Sequence, residues 1–382
     1  MIYLDNSATT LIKPKTVQKS VLSALTAYSA NPGRSGHKQA IKTAMQIEEV
    51  RQHTAKHLNT LPEQTIFTLN CTDSLNIAIL GTHKHGGHVV CTCNEHNSVL
   101  RPLHHLQQID PTFSFSAVQP ENPPTICWND IKKHITEKTY LVICNHVSNV
   151  NGDVTNIEEI GQNLQKRKIL FLVDAAQSGG HFFYDMQKQN INLLALAPHK
   201  GFYSPQGVGC LALNGDFEIN PLRFGGTGTN SHQLEMPNTF PERLEAGTLN
   251  TPAILGFGKG LTFVEENWKF IQEKIEDLTT YLHYEFSKLP LEIYTTSENS
   301  CGVFAFNIPD SPSADVSNFL DQHFDICTRS GLHCAPLKHK QLKTINSGAV
   351  RVSMSYFNTY QEIERLVFAI KYMLKTQKKM LF

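Results

Sequence analysis

The chain has 382 residues, of which 40% are hydrophobic and 18% charged, and its formal net charge at neutral pH is zero. This composition is typical of a folded protein with room for a large and a small domain, and it excludes a disordered chain. The charges are scattered, so no basic face indicates nucleic acid or a membrane surface, and no apolar run is long enough to span a bilayer.

The cysteines also limit the class of protein. There are 9 of them, and no two form a Cys-x-x-Cys pair. Cys144 and Cys210 lie inside apolar runs, which favours buried thiols in a reducing compartment over a disulfide framework. The first residues lack the basic and apolar regions of a signal peptide. We therefore expect a cytoplasmic protein.

The first two thirds of the chain alternate between apolar runs and helical patterns. A short strand near residue 3 precedes helices at about 15–30 and 38–58. Strands are then predicted near 65–68, 88–93, 112–118, 139–145, 168–173, 192–197 and 208–213, with helices between most of them. This order predicts an α/β fold with a mostly parallel seven-stranded sheet between layers of helices.

The pattern changes after residue 213. Residues 214–250 are rich in Gly, Pro, Asn and Thr and predict a long structured loop, which is usually functional. A helix at about 252–289 leads into a small α+β region. We therefore assign residues 15–250 to a large domain, and residues 1–14 with 251–382 to a small one.

Two successive strands of the predicted sheet end in polar residues suited to one ligand. One strand runs into Asp174, and the next is followed by His199 and Lys200. Ligands of open α/β sheets bind at the carboxyl ends of the strands. Pyridoxal phosphate requires such a pair, because a lysine binds it covalently and a carboxylate contacts its pyridine nitrogen. A solvated lysine and a helix-capping aspartate are the ordinary alternatives.

Other polar residues follow further strands of the sheet. Asn70, Cys71 and Thr72 precede a helix, whose N–H groups and a hydroxyl could bind a phosphate, although ordinary capped helices share this pattern. His96 could stack on a flat ring and transfer protons, unless it is a surface histidine. Asn149 supplies a side-chain amide after another strand.

The last group of candidates lies in the predicted small domain. Cys334 stands between His333 and Ala335, near Arg329, in a loop bounded by glycine and proline. Positively charged neighbours favour the thiolate form of a cysteine, which is the nucleophile. The alternative is a loop cysteine without a function. No second pair of Cys or His residues lies at the spacing of a zinc site, so we predict no metal. Arg351 is suited to bind a carboxylate with two N–H groups, or to form a surface ion pair.

Together these stretches resemble the cysteine desulfurase and selenocysteine lyase family, of the class V aminotransferase group of fold type I pyridoxal-phosphate enzymes. The resemblance covers nearly the whole chain. It rests on motifs that occur in a fixed order: Asn94-Glu95-His96, Val173-Asp174-Ala175-Ala176-Gln177, His199-Lys200-Gly201, Glu245-Ala246-Gly247-Thr248 and Arg329-Ser330-Gly331-Leu332-His333-Cys334-Ala335.

The resemblance implies how a cofactor would be held. Lys200 would bind pyridoxal phosphate covalently, Asp174 and Gln177 would contact its ring nitrogen and hydroxyl, and His96 would stack on the ring and transfer protons. Further contacts, mostly to the phosphate, would come from Cys71, Thr72, His199, Asn149 and, from a second subunit, Thr248. A homodimer is therefore implied.

The resemblance also implies a reaction. Arg351 and Asn149 would bind the carboxylate of L-cysteine, and Cys334 would take its sulfur as a persulfide and leave alanine. The remaining substrate contacts would come from His37, Ala8 and Arg329. A sulfur-accepting protein is implied, because the segment with Cys334 is as short as in the branch of the family that depends on such a partner.

The same residues would serve a selenocysteine lyase. A related epimerase or aminotransferase, in which Cys334 would be idle, is a further alternative. A sulfur carrier without catalysis would not need Lys200 and Asp174. The chain departs from the family at Ala197, where a hydroxyl is common, and at Cys71, in a turn that usually reads Gly-Thr-Thr. These changes predict fewer phosphate contacts and an outlying subfamily.

Overall fold

A computed structural model describes residues 1–33, 35–229, 231–296 and 301–380. The chain divides into two compact units, which we call the large unit (residues 13–146 and 155–266) and the small unit (residues 1–12, 147–154 and 267–382). The assignment of residues 15–250 to one domain, and of 1–14 with 251–382 to another, stays a prediction.

The strands are β1 (Ile2–Tyr3), β2 (Thr65–Thr68), β3 (His88–Thr92), β4 (Ser114–Val118), β5 (Thr139–Asn145), β6 (Leu170–Asp174), β7 (Leu193–Leu196), β8 (Gly209–Leu213), β9 (Glu292–Ile293), β10 (Val303–Asn307), β11 (Ile326–Cys327), β12 (Arg329–Gly331) and β13 (Ala349–Ser353). The α-helices are α1 (Lys15–Thr26), α2 (Lys38–Leu58), α3 (Cys71–Gly81), α4 (Asn97–Ile109), α5 (Trp128–Lys132), α6 (Ile157–Gln165), α7 (Thr251–Ser287), α8 (Ser313–Phe324), α9 (Pro336–Gln341) and α10 (Tyr360–Met380). A 3-10 turn spans Pro62–Gln64.

The large unit contains a seven-stranded sheet in the order β2-β8-β7-β6-β5-β3-β4. The pairs from β7 through β6, β5 and β3 to β4 are parallel, whereas β8 is antiparallel to both β2 and β7. The inner strand β5 is buried along its whole length, which explains its continuous apolar run. The predicted α/β fold with a mostly parallel seven-stranded sheet is confirmed.

The small unit has a four-stranded antiparallel sheet in the order β12-β13-β10-β9 and a parallel pair of β1 with β11. Phe304 and Phe306 of β10 pack in its core with Leu320 of α8 and Ile370 of α10. The first residues of the chain belong to this unit, since the Ser353 N–H donates to the Leu4 carbonyl at 2.7 Å.

Within the described part of the chain, no helix combines the length and the apolar character that a membrane crossing requires. The cysteines all fall in that part, and no disulfide bond joins any two of them.

Candidate active site

Lys200 lies in a turn after β7 in the large unit. Its N–H donates to the carbonyl of Ala197 at 3.0 Å, and its carbonyl accepts from the N–H of Tyr203 at 3.0 Å. The Nζ of Lys13 donates to the carbonyl of His199 at 3.2 Å. Burial lowers the pKa of Lys13 to about 8. The backbone of the Lys200 turn is therefore held on both sides of the lysine.

The Lys200 turn is in direct backbone contact with the loop that follows Asp174. A Cβ atom at Gly201 would lie 2.0 Å from the carbonyl oxygen of Gly179, and one at Gly180 would lie 2.4 Å from that of Gly201. Only glycine permits such an approach. The turn that carries Lys200 and the loop that follows Asp174 are thus in close backbone contact.

Asp174, at the end of β6, is 1% exposed. Its Oδ1 accepts from the N–H of Ala176 at 2.9 Å and from the thiol of Cys71 at 3.8 Å. Burial raises the pKa of Asp174, and the positive charge of Lys200 opposes this shift. A protonated ring nitrogen would stabilise such a desolvated carboxylate further. The site therefore fits a cofactor that brings a cation to Asp174 and an aldehyde to Lys200.

The turn before α3 can serve as an anion site. Asn70 caps the helix, since its Oδ1 accepts from the N–H of Asp73 at 3.0 Å. Thr72 is exposed in the first turn, and Cys71 is buried. Burial raises the pKa of the Cys71 thiol well above its usual value, so the thiol stays a hydrogen-bond donor. The N–H groups of the first turn of α3 and the Thr72 hydroxyl are the donors predicted for a phosphate, and this role stays a prediction.

Two further residues expected at the phosphate are His199 and Thr248. Burial, with the charges of Lys200 and Lys13, lowers the pKa of His199 to about 4. At neutral pH the imidazole is therefore neutral and donates from one nitrogen only. Thr248 is exposed, in the long loop before α7. Both roles stay predictions.

His96 caps helix α4, because its Nδ1 accepts from the N–H of Ser98 at 3.1 Å. The neutral ring therefore carries its proton on Nε2, the nitrogen suited to proton transfer. Gln177 is 6% exposed, in the turn after β6.

Glu95 is a buried carboxyl group that sequence reasoning missed. Its Oε1 accepts from the Thr92 hydroxyl and from the Asn145 N–H, both at 2.7 Å. Burial raises the pKa of Glu95 to about 8, with a smaller contribution from Asp174. Glu95 is therefore mostly protonated at neutral pH, which avoids a second negative charge near Asp174. The sequence feature that could have identified Glu95 is its position between a strand and His96.

Arg351, on β13 of the small unit, is 1% exposed. Its Nη1 donates to the carbonyl of Asn149 at 2.9 Å, and its Nη2 lies 2.6 Å from Oδ1 of Asp5. Its Nε is buried and has no partner among the described residues, and the same holds for Oδ1 of Asn149. The guanidinium is thus fixed in place by Asn149 and Asp5, and Asp5 was not predicted to lie here.

Cys334 is half-buried in the small unit. Nη2 of Arg329 donates to its sulfur at 3.9 Å, and Arg329 lies directly opposite Arg351 across the β12–β13 pair. Cys334 and His333 both have left-handed backbone conformations, with φ of 57° and 50°. Such residues are strained unless their surroundings hold them. The loop that carries the thiol is therefore fixed by its neighbours.

A buried chain of hydrogen bonds supports this loop. The carbonyl of His333 accepts from Nδ2 of Asn149 at 2.7 Å. Nδ1 of His333 is 3.3 Å from Nε2 of His339, whose Nδ1 is 2.8 Å from the Thr344 hydroxyl. Burial lowers the pKa of His333 to about 2 and that of His339 to about 4. Both rings are therefore neutral at neutral pH.

A buried ion pair joins α9, just after the cysteine, to the segment with Asn149. Nζ of Lys338 lies 2.6 Å from Oδ2 of Asp153 and 2.7 Å from Oε1 of Gln341. Lys338 is fully buried. No local sequence signal marks this pair, because the two residues are 185 positions apart.

His37 and Ala8, which were predicted at the substrate, are placed as follows. His37 is exposed and caps α2, since its Nδ1 accepts from the N–H of Ala40 at 3.2 Å. Ala8 is half-buried in the turn after β1, and its N–H donates to the carbonyl of Asp5 at 3.1 Å. Their substrate contacts stay predictions.

The candidate residues are divided between the units. The large unit contains Lys200, Asp174, Gln177, His96, Cys71, Thr72, His199, Thr248 and His37, and the small unit contains Cys334, Arg329, Arg351, Asn149 and Ala8. Over the ranges that the structure describes, no group of His, Cys, Asp and Glu side chains is arranged to hold a metal ion.

The chain is similar to known proteins over nearly its whole length. Residues 2–366 match the family model described as aminotransferase class-V. A probable cysteine desulfurase of Methanothermobacter thermautotrophicus is 32% identical over 377 residues, which cover 96% of this chain and 92% of that protein. One of Pyrococcus abyssi is 32% identical over 389 residues, with coverages of 98% and 95%.

A solved structure has the same fold. The apo cysteine desulfurase of Thermococcus onnurineus NA1 superposes with a TM-score of 0.90 at 29% identity, over 98% of this chain and 95% of that one. The family predicted from the ordered motifs is confirmed. The chain therefore belongs to the class V aminotransferase family, in which its relatives include proteins named cysteine desulfurase.

Proposed function

We propose that this protein is a pyridoxal-phosphate-dependent cysteine desulfurase, which converts L-cysteine to L-alanine and keeps the sulfur as a persulfide on Cys334. The observation that carries this proposal is the 3.9 Å hydrogen bond from Arg329 to the sulfur of Cys334, in a loop held by buried contacts. The names of its relatives support the same reading.

Residues of the large unit would hold the cofactor. Lys200 would bind it through Nζ, Asp174 would support a proton on its ring nitrogen, and Gln177 would bind its hydroxyl. The Cys71 N–H, Thr72 and His199 would bind its phosphate, together with Thr248 from a second subunit. Asn149, which lies in the small unit, would make a further contact. When bound, pyridoxal phosphate supplies an electron-withdrawing ring that weakens the Cα–H bond of the amino acid.

Two groups would move protons. The Nζ of Lys200 would be suited to accept the α-proton of the bound amino acid, because a lysine amine near a buried carboxylate can act as a base when neutral. Nε2 of His96 carries the proton that its ring can donate, since Nδ1 is occupied by the Ser98 N–H.

Cys334 would carry the sulfur. Its thiolate attacks the sulfur of the substrate, so that an S–S bond forms and the Cβ–S bond breaks. The electron pair of the broken bond returns to the carbon skeleton, which takes up a proton and leaves as alanine. The N–H of Arg329 would support the attack, because hydrogen bonds to charged acceptors are stronger than those to neutral ones. Arg351 would bind the carboxylate.

We also propose a homodimer that works in the cytoplasm and passes its sulfur to an acceptor protein or thiol. Large apolar side chains on the large unit favour a second copy: Met45 is 59%, Phe224 77% and Leu234 fully exposed. Burial of these side chains against a second copy would remove apolar surface from water. The absence of disulfides among the cysteines described above is compatible with a reducing compartment.

A selenocysteine lyase is the second candidate, because the same groups bind a carboxylate and a cofactor in both reactions. An epimerase or aminotransferase would leave the thiol without a role. The buried contacts that hold the Cys334 loop disfavour this alternative.

The test is product analysis with L-cysteine and L-selenocysteine in the presence of a reductant. We expect the wild type to release alanine from cysteine and Cys334→Ala to lose at least 100-fold of that rate, as for the removal of a nucleophile. Cys327→Ala, which removes another half-buried thiol of the small unit, is the matched control and should keep the rate. Unchanged release of alanine by Cys334→Ala would rule out the desulfurase. If Cys334→Ala lost activity on cysteine but kept activity on selenocysteine, the lyase would be favoured.

A further inference from the structure

The carboxylate site of the small unit contains a charge that belongs to the protein itself. Arg329 and Arg351 lie side by side on paired strands, and Asp5 forms an ion pair with Arg351. Tyr3 and His333 are the other titratable groups that act on Arg351. Burial raises the pKa of Tyr3 and lowers that of His333 to about 2, so both are neutral at neutral pH.

The two guanidinium groups and the one carboxylate together carry a net charge of about +1. Without Asp5 the charge would be about +2. Since Arg351 is 1% exposed, water screens these charges weakly.

Asp5 is fixed where it is by its own backbone. Leu4 donates to the carbonyl of Cys327 at 2.9 Å and accepts from Ser353 at 2.7 Å, and Asp5 itself bridges to Ser353. The N–H of Ser7 donates to the Ser353 hydroxyl at 2.8 Å. These bonds on both sides hold Asp5 beside β13, so its carboxylate stays near Arg351.

Asp5 does not use all donors of Arg351. It contacts Nη2, while Nη1 is taken by the Asn149 carbonyl. The buried Nε remains as a donor without a partner among the described residues. Asp5 thus occupies one of the three guanidinium nitrogens, and a second carboxylate would share Arg351 with it.

We propose that Asp5 is a resident counter-ion of Arg351, which remains bound when the α-carboxylate of the substrate arrives and weakens the affinity for that carboxylate. This inference rests on the proposed function, because it concerns the same amino-acid site. Asp5 acts through charge, so it is a specificity-determining residue rather than a catalytic one. Weak ground-state binding of substrate and product leaves interactions available for the transition state and speeds release of alanine.

The test measures binding rather than turnover. The ligand is L-alanine, the product, and its dissociation constant is read from the absorbance change of the cofactor-loaded protein. We expect Asp5→Asn, which keeps the hydrogen bond to Arg351, to bind L-alanine about tenfold more tightly. Arg329→Gln should bind it about tenfold more weakly. The double variant restores the original net charge and should return to within about threefold of the wild type.

L-alaninamide is the matched ligand without the carboxylate charge, and Asp5→Asn should not tighten its binding. Asp5→Asn could fail to fold, because Arg351 would lose its counter-ion. Arg329→Gln, at a half-buried site, then still tests the charge balance. Cofactor-free protein offers a second readout, since calorimetry with 3-mercaptopropionate should give the same order of affinities.

An affinity for L-alanine in folded Asp5→Asn that is equal to or weaker than that of the wild type would overturn the inference. Wild-type affinity in Arg329→Gln would also overturn it. The proposed function is tested separately. If the protein bound L-alanine with this charge dependence but released no alanine from cysteine, the role of Asp5 would stand and the desulfurase function would be wrong.

Discussion

Nζ of Lys338 and Oδ2 of Asp153 lie 2.6 Å apart, and both side chains are withdrawn from solvent. Removal of one partner from a buried ion pair leaves an uncompensated charge. We expect Lys338→Met to lower the free energy of unfolding by about 3–5 kcal/mol, and Lys338→Met with Asp153→Leu to recover most of this loss.

Urea denaturation followed by circular dichroism measures both effects. Lys340→Met is the control, because Lys340 lies on the same helix and is exposed. It should change the unfolding free energy by less than about 0.5 kcal/mol. If Lys340→Met lowered the unfolding free energy as much as Lys338→Met does, the effect would not come from the ion pair.

The buried histidines predict a decline of stability in acid. His146, His333 and His339 are at most 5% exposed, and burial lowers their pKa values to about 3, 2 and 4. Below pH 6.5 the unfolded chain binds protons at these positions and the folded chain does not. Each group therefore removes about 1.4 kcal/mol of stability for each pH unit below that value.

Denaturation midpoints between pH 7.5 and 5.0 test this expectation. His339→Gln should make the pH dependence shallower by about 1.4 kcal/mol per pH unit. His104→Gln, at an exposed position, should leave it unchanged. The same slope for all three proteins would contradict the assignment of neutral buried rings.

The contact between the Lys200 turn and the Asp174 loop predicts that Gly201→Ala weakens cofactor binding. Its added Cβ would lie 2.0 Å from the carbonyl oxygen of Gly179, so one of the two loops must move. We expect the dissociation constant for pyridoxal phosphate to rise at least about tenfold, since a shift of the lysine misplaces its amine.

Absorbance titration of the cofactor-free variant measures this constant. Gly36→Ala is the matched control, because a Cβ there meets nothing within 4 Å and its backbone is not left-handed. Normal affinity in Gly201→Ala would mean that the two loops tolerate separation.

We expect the substitution Asp174→Asn to have opposite effects on the stability of the fold and on cofactor binding. Burial raises the pKa of Asp174 in the folded protein, so at neutral pH its ionised form destabilises the cofactor-free fold relative to the unfolded chain. Asp174→Asn should therefore unfold at higher urea concentration than the wild type when both are free of cofactor. The same variant should bind pyridoxal phosphate more weakly, because it lacks the charge that supports a protonated ring nitrogen.

Asp216→Asn, at an exposed position, is the control for both measurements and should behave as the wild type. A cofactor-free Asp174→Asn protein that is less stable than the wild type would contradict the assignment of a desolvated, unfavourable carboxylate.

Local patterns were enough to predict the large sheet and the candidate residues of its carboxyl edge. Strands buried on both faces appear as continuous apolar runs, and Asp174 and Lys200 were recognisable because each follows such a run. The antiparallel direction of β8 carried no such signal, because residues 208–213 are as apolar as those of a parallel strand.

The partners of the predicted residues could not be derived in this way. Asp5 and Arg351 are 346 positions apart, and Lys338 and Asp153 are 185 apart. Periodicity and spacing report neighbours on one element, whereas these contacts depend on which strands pair. The sequence thus identified the groups with reactive chemistry, and the structure identifies the charges that surround them.

The pairing of β1 with β11 has a consequence for the order of folding during synthesis. Ile2 and Tyr3 are synthesised long before their partners Ile326 and Cys327. Residues 13–266, which contain the whole large sheet, can fold while the rest is still being translated. β1 can pair only once β11 has been made, so the contact of Asp5 with Arg351 forms after the large sheet has been synthesised.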